Sequence, residues 1–168
     1  MKIEYGKNVG FLKDLRNAVR ESFSSYFNLC NNFDEINTET GECVESMGFT
    51  ASLLEAVEVL YLLDLKDLYI RAYHHIKNNF RCKKLSDVNR RELWTRGVGS
   101  LIGAYSLTGK KMFLEKAEEC GQELLKFKRK SDPYINIQTG DMKKRVMEDG
   151  VELSDLTAGF PELLSIYQ

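Results

Sequence analysis

The chain has 168 residues, of which 43% are hydrophobic and 29% are charged, and its formal net charge is −1 at pH 7. This length is enough for one domain with a sizeable core, so we expect a single domain over residues 1–168. The balanced charge gives no general attraction for nucleic acid or an anionic membrane. No apolar run approaches the ~20 residues of a membrane span, and the first residues lack the apolar core of a signal peptide.

Apolar residues recur at helical spacing along the first third of the chain. The first predicted helix runs from Phe11 to about Asn28, and a polar loop, NNFDEINTETGECVES, follows it. The second predicted helix, TASLLEAVEVLYLL, begins with Thr50 or Ser52 as the cap. Glu55 lies three residues after Ser52, as in a capping box.

The rest of the chain continues mainly in the helical pattern. A turn leads into LYIRAYHHIKNNF, and a basic connection, RCKKLSDVNR, precedes a helix predicted from about Leu93 to Leu107. After a Thr-Gly stop, KMFLEKAEECGQELLKFK forms the next predicted helix. The segment YINIQ is the one candidate strand, and PELLSIYQ is a last predicted helical segment. The pattern therefore predicts an all-α fold class.

An internal repeat links the central helices. The segment YLLDLKDLYIRAYHHI, from Tyr61, resembles YSLTGKKMFLEKAEEC, which begins 44 residues later at Tyr105. Each copy reads as helix, tight turn and helix, and a repeat of this length is typical of an α-solenoid or an α/α toroid. The final residues, ELLSIYQ, resemble the helix that precedes each turn. We therefore expect a third hairpin that the chain end interrupts.

The four cysteines contain no CxxC pair, which leaves a zinc site poorly supported. A chain of this length does not need disulfides for stability, so buried free thiols are the favoured interpretation. Two disulfides in an oxidising compartment are the alternative. The adjacent His74 and His75 point in different directions on a helix, so packing or solvation is expected for both rather than chelation. The cysteines are Cys30, Cys43, Cys82 and Cys120.

The stretch RRELWTRGVGSLIGAY places Glu92, Trp94 and Arg96 at the start of the inner helix of the second repeat. In a toroid, such loop-to-helix junctions gather at one end of the central cavity, where polar side chains can converge on a ligand. The alternative is that Glu92 complements the helix dipole while Arg96 is solvated.

Several segments together resemble one family. RELWTRGVGSLIGAYSLTG follows the motif FETNIRxLGGLLSAYxLSG of glycoside hydrolase family 47, the class I α-1,2-mannosidases and their degradation-enhancing relatives. FTASLLEAVEVLYLLDLKDLY resembles the family's ATxVDSLDTLxIMGLKDEF, and PELLSIYQ resembles its LEFxxLSxLTGD. RNAVRESFSSYFNLCNNFDEI resembles the family's opening helix and DEL, so the similarity runs from about Leu15 to the last residue.

The resemblance implies an (α/α)7 barrel, of which this chain holds antiparallel hairpins that form an incomplete part. It also implies inverting, calcium-dependent removal of α-1,2-linked mannose from N-glycans. Glu92 takes the place of the acid that protonates the leaving oxygen through a water molecule. Arg96 would hold this acid and the sugar, Glu162 would bind the hydroxyl groups of the terminal mannose, and Glu55 and Glu58 are candidate supporting carboxylates.

The chain also departs from the family pattern. Glu55 and Glu58 replace two aspartates, and Arg91 and Trp94 replace the Phe and Asn of FETNIR. The family's catalytic base and the threonine that holds Ca²⁺ belong to later hairpins, so we expect the calcium ligand outside this chain. A truncated or degenerate copy that is inactive alone is therefore expected.

Partners and compartment follow from the same resemblance. The expected partner is a high-mannose N-glycan or glycoprotein, or a missing C-terminal portion of the barrel. The family implies the lumen of the endoplasmic reticulum or Golgi apparatus, and the sequence otherwise fits a cytoplasmic chain. The alternative function is a non-catalytic helical module that binds mannose glycans or proteins.

Overall fold

A computed structural model describes residues 9–127, 134–143, 145–146 and 152–153. Most of the described chain is helical, which confirms the predicted all-α class. The α-helices are α1 (Val9–Leu29), α2 (Ala51–Leu62), α3 (Lys66–Asn79), α4 (Arg90–Glu92), α5 (Gly99–Thr108) and α6 (Lys111–Leu125). A 3₁₀-helix spans Cys82–Lys84, and a π-helix spans Leu93–Val98 between α4 and α5.

The helices form two hairpins that lie side by side. Short turns join α2 to α3 and α5 to α6, and in each pair the two helices pack together. The inner helices α2 and α5 also pack on each other, which confirms that they are neighbours, and α1 contacts both α2 and α3. The described helices form part of a toroid rather than a closed ring. The predicted third hairpin, including PELLSIYQ, lies outside the described residues.

The core lies between the two hairpins and under the second half of α1. Phe23, Tyr26 and Phe27 of α1 are buried, whereas Leu15 nearer its start is 39% exposed. Burial of apolar surface therefore holds only the C-terminal half of α1 in the fold. The largest fully buried side chains are Phe49, Phe113, Leu53, Leu54, Leu60, Leu65, Leu68, Ile76, Leu93, Leu101, Ile135 and Val57.

Very short strands form in the connections between the described helices and after α6. The strands are β1 (Glu35–Ile36), β2 (Cys43–Val44), β3 (Val88–Asn89), β4 (Tyr134–Ile135), β5 (Met142–Lys143), β6 (Arg145–Val146) and β7 (Glu152–Leu153). All pairings are antiparallel: β1 with β2, β3 with β4, β4 with β5, and β6 with β7. The candidate strand in YINIQ is confirmed as β4, while the loop after α1 contains a β-hairpin that we did not predict.

The hairpins β1–β2 and β4–β5 share one turn design. In the first, the Asn37 side chain accepts from the Thr40 N–H, and Gly41 has φ 75°. In the second, the Asn136 side chain accepts from the Thr139 N–H, and Gly140 has φ 80°. A glycine adopts this left-handed backbone without the steric cost that a Cβ would bring. The matching letters NTETGE and NIQTGD encode the same turn twice.

The capping-box prediction for α2 is wrong. Thr50 is the N-cap residue, but it has φ 58° and its side chain makes no capping hydrogen bond. The fully buried carboxylate of Asp34 takes this role instead. It accepts four backbone N–H groups, from Met47 (2.5 Å), Gly48 (2.6 Å), Phe49 (3.2 Å) and Ala51 (2.9 Å). A carboxylate at a helix N-terminus satisfies orphan donors and complements the helix dipole.

The favoured prediction of free thiols is also wrong. Cys30 is bonded to Cys43, and Cys82 to Cys120, with Cα–Cα distances of 5.3 and 5.2 Å that suit a disulfide. The first disulfide ties the end of α1 to β2, and the second ties the 3₁₀-helix to α6. Among the described residues, no helix has the length and apolar character needed to cross a membrane.

Candidate active site

The N-terminal ends of the two inner helices meet at one point. Glu55, in the first turns of α2, contacts Arg96 of the π-helix at 2.6 Å. This contact shows that both inner helices begin at the same end of the fold. The structure therefore brings Glu92 and Arg96, at the start of the second inner helix, together with Glu55 of the first.

The acid-bearing segment has an unusual backbone. The Asn89 side chain caps α4 by accepting the Glu92 N–H at 3.1 Å. The chain then widens into the π-helix Leu93–Val98 before it continues as α5. π-helical turns inside α-helices are rare and occur frequently at functional sites. Here the wide turn directly follows Glu92 and contains Arg96.

Arg96 is held by several groups, and its side chain is 37% exposed. Its Nε and Nη2 donate to the two carboxylate oxygens of Glu55, each at 2.6 Å, which is the strong bidentate geometry of an Arg–carboxylate pair. Its Nη1 donates to the sulfur of Met47 at 2.8 Å. The hydrogen bonds to Glu55 raise the pKa of the Arg96 guanidinium, while burial opposes that rise. Arg96 is therefore a fixed cation at this end of the fold.

Glu92 is more loosely attached than Glu55. Its Oε2 lies 3.6 Å from Nη1 of Arg96, beyond ordinary hydrogen-bond length, and its side chain is 30% exposed. Both oxygens of Glu55, by contrast, are engaged by Arg96. Glu92 is therefore the less constrained of the two carboxylates beside Arg96.

Glu58 lies away from this cluster. A Cβ at Gly103 would overlap Oε1 of Glu58, so the Glu58 carboxylate occupies the space that this glycine leaves on α5. Burial raises the pKa of Glu58. Of the two candidate supporting carboxylates, Glu55 joins Arg96 and Glu58 lies at the contact of α2 with α5. Glu162 lies outside the described residues.

Sequence reasoning missed three residues that shape the cluster: Asp34, Met47 and Asn89. Asn89 precedes Glu92 by three positions, a spacing that signals an N-cap and could have been recognised. Asp34 acts on a helix that starts 17 residues later, and Met47 reaches Arg96 from the same distant connection. Contacts between distant segments leave no local signal in one sequence.

The described residues do not fit the metal that the family resemblance implies. Among them, no group of three or more His, Cys, Asp or Glu side chains is placed to hold a metal ion.

Comparison with known proteins identifies the family. The sequence profile described as Glycosyl hydrolase family 47 matches residues 18–163. The chain belongs to this family. It is 30% identical over 127 residues to a mannosyl-oligosaccharide 1,2-α-mannosidase of Arabidopsis thaliana, a match that covers 75% of the chain and 21% of the relative.

Two further relatives have the same kind of name. The endoplasmic reticulum mannosyl-oligosaccharide 1,2-α-mannosidase of Rattus norvegicus is 31% identical over 76% of the chain and 20% of its own length. A mannosyl-oligosaccharide 1,2-α-mannosidase of Caenorhabditis elegans is 38% identical over 57% of the chain and 15% of its own length. The chain thus spans about a fifth of the length of these family 47 relatives.

Proposed function

We propose that this family 47 chain forms the acid-bearing part of an α-1,2-mannosidase site that acts on terminal α-1,2-linked mannose of high-mannose N-glycans. The observation that carries the proposal is the cluster of Glu92, Arg96 and Glu55 at the shared N-terminal end of the two inner helices. The names of the relatives, all mannosyl-oligosaccharide 1,2-α-mannosidases, supply the substrate class.

Each member of the cluster has a distinct task in this proposal. Glu92 donates a proton, through a water molecule, to the oxygen that leaves with the rest of the glycan. Arg96 donates hydrogen bonds to sugar hydroxyls and orients the acid, with which it makes the 3.6 Å contact. Glu55 fixes the plane of the guanidinium through its two 2.6 Å hydrogen bonds. Glu162 would accept hydrogen bonds from the terminal mannose.

An inverting displacement also needs a carboxylate that activates the attacking water on the opposite face of the sugar. In this proposal that base, and the seat of Ca²⁺, belong to later hairpins, as the family resemblance implies. Residues 1–168 would therefore bind a terminal mannose without hydrolysing its bond. General acid–base catalysis is worth roughly 10²–10⁴ in rate for each group, so loss of the base alone would remove measurable turnover.

The lumen of the endoplasmic reticulum or Golgi apparatus is the compartment we propose. The disulfides Cys30–Cys43 and Cys82–Cys120 support it, because disulfides persist in oxidising compartments and are rare in the cytosol. The name of the rat relative includes the endoplasmic reticulum. An N-glycan on a glycoprotein is the partner that fits this setting.

The test is an NMR titration of the 168-residue chain with α-1,2-mannobiose, with calcium present, and a parallel assay for released mannose. We expect the disaccharide to shift the side-chain signals of Arg96, with no mannose released. Arg96→Lys should weaken binding, because lysine cannot make the same planar set of hydrogen bonds. Unchanged Arg96 signals at saturating disaccharide would contradict the proposal, and mannose release would contradict the assignment of the base to later hairpins.

Arg20→Lys is the matched control for this substitution. Arg20 also forms a bidentate pair with a carboxylate, that of Asp67, at 2.6 and 3.0 Å. This pair joins α1 to α3 and does not involve the Arg96 cluster. An equal loss of disaccharide binding in both variants would show a general effect on the fold rather than contact of Arg96 with sugar.

A further inference from the structure

Met47 connects three parts of the candidate site. Its backbone N–H donates to the buried Asp34 carboxylate at 2.5 Å. Its carbonyl oxygen accepts the N–H of Asn89 at 3.1 Å. Its sulfur accepts a hydrogen bond from Nη1 of Arg96 at 2.8 Å. One residue of the α1–α2 connection thus contacts both the cap of the acid-bearing helix and the arginine of the candidate site.

The backbone contacts of Met47 position Glu92 indirectly. Asn89, which donates to the Met47 carbonyl, accepts the Glu92 N–H through its side chain. Asp34 fixes the other side of Met47 with the same carboxylate that caps α2. Displacement of Met47 would therefore move the start of α4 relative to the start of α2.

The sulfur of Met47 has a separate effect on Arg96. The Glu55 carboxylate accepts hydrogen bonds from Nε and Nη2 of the guanidinium, and the sulfur accepts one from Nη1. A thioether is a weak, uncharged acceptor, so it occupies Nη1 without adding a negative charge beside Glu92. A carboxylate at this position would further neutralise the cation that Glu92 faces at 3.6 Å. The choice of acceptor therefore holds Nη1 of Arg96 without placing a second negative charge beside Glu92.

We propose that Met47 is a positioning residue of the candidate site, which holds the Arg96 guanidinium against Glu55 through its sulfur and ties the Asn89 cap to Asp34 through its backbone. Its importance for sugar binding rests on the proposed function. Its effect on Arg96 does not, because that effect depends only on contacts inside the protein.

The test compares the 168-residue chain with its Met47→Leu and Met47→Gln variants, labelled with ¹⁵N-arginine for NMR. Leucine keeps the apolar volume but removes the acceptor, so rotation of the Arg96 guanidinium should become roughly fivefold faster, as expected when one neutral hydrogen bond is lost. Glutamine supplies an uncharged oxygen acceptor and should restore slow rotation. A purely structural role for Met47 would change the unfolding midpoint without this pattern.

Met142→Leu is the matched control, because Met142 is also partly buried and packed against the core but lies on β5. Rotation of Arg96 that is unchanged in Met47→Leu, or changed equally in Met142→Leu, would overturn the proposal. The α-1,2-mannobiose titration separates the two proposals. If the disaccharide does not shift Arg96 signals, the proposed function fails while the rotation rates still decide the role of Met47.

Discussion

The two helical hairpins begin in different ways. The first, α2–α3, starts from a left-handed Thr50, and a fully buried carboxylate from another segment, Asp34, accepts the N–H groups around its first turn. The second starts with the local cap of Asn89 and a wide π-helical turn. The first hairpin start is held by a buried carboxylate, whereas in the second Glu92 lies directly before a wide π-helical turn that contains Arg96. Two similar helical hairpins therefore begin with different local structures: a buried carboxylate cap in the first, and a side-chain N-cap followed by a π-helical turn in the second.

The largest expected difference between the two hairpin starts is in stability. Asp34→Ala should lower the free energy of unfolding by about 3–5 kcal/mol, because four backbone N–H groups lose a charged acceptor in the interior. Asn89→Ala should cost only about 1 kcal/mol, the usual effect of losing an N-cap side chain. Urea unfolding of both variants measures the two values. Equal losses would show that the two hairpin starts are equally fixed.

The next largest effect on stability is expected where the two hairpin starts approach each other closely. A Cβ at Gly97 would lie 2.8 Å from Cδ1 of Leu93 and 3.5 Å from the ring of Phe49, which belongs to the first hairpin start. Gly97→Ala should therefore cost about 1–3 kcal/mol through overpacking. Gly121→Ala on α6 is the control, because a Cβ there meets nothing within 4 Å and should stabilise the helix by up to about 1 kcal/mol. A neutral Gly97→Ala would mean that the hairpin starts can move apart.

Substitutions in the turns inside the two hairpins should have smaller effects on stability. Asp64 has φ 53° in the α2–α3 turn, and Gly109 has φ 67° in the α5–α6 turn. Gly109→Ala should cost about 1 kcal/mol, because a Cβ is strained in the left-handed region. Asp64→Gly should remove such strain and raise the thermal midpoint. Shifts of the thermal midpoint in opposite directions for the two variants would confirm that both turns need a left-handed residue. An unchanged midpoint for Gly109→Ala would contradict this prediction.

The smallest expected effect is a dependence of the folding stability on pH through His75. Burial lowers the pKa of His75 on α3, whose ring lies against Phe27 and Asn79. The unfolded chain then binds a proton more readily than the folded chain, so this contribution to stability is present above the unfolded pKa, about 6.5, and is lost as pH falls below it. The loss continues down to the lowered folded pKa.

Replacing His75 with Gln should flatten the pH dependence of the unfolding midpoint in that window. His74→Gln is the control, because His74 is exposed and adjacent. Identical pH profiles for the wild-type chain and His75→Gln would show that the half-buried His75 ring has no such effect.

Helical periodicity was enough to predict most of the fold. It predicted α1, α2, α3 and α6 and the contact of α2 with α5, because burial on one face of a helix leaves a repeating pattern. The repeat predicted the two hairpins. However, α3 begins at Lys66 and α6 at Lys111, so the distance along the chain between the two helix starts is one residue more than the repeat spacing of 44. The second turn, residues 109–110, is one residue shorter than the first, residues 63–65, because α5 extends further than the repeat predicts, and local turn geometry does not appear in helical periodicity.

The site was only partly predictable. The sequence placed Glu92 and Arg96 one helical turn apart, but the bidentate pair of Arg96 with Glu55 depends on how α2 and α5 pack. The π-helix has no local signature, and the disulfides join cysteines 13 and 38 residues apart without a characteristic spacing. Whether Glu162 joins the cluster stays a prediction.

The Cys82–Cys120 disulfide also changes the unfolded chain. It closes a loop that contains all of α4, the π-helix and α5, and thus both Glu92 and Arg96. In the chain-entropy view, a closed loop of this size removes about 4 kcal/mol of conformational freedom from the unfolded state at 25 °C, and the shorter loop of Cys30–Cys43 removes about 3 kcal/mol. The acid-bearing segment is therefore confined near α6 even before it folds, so fewer of its unfolded conformations compete with the native one.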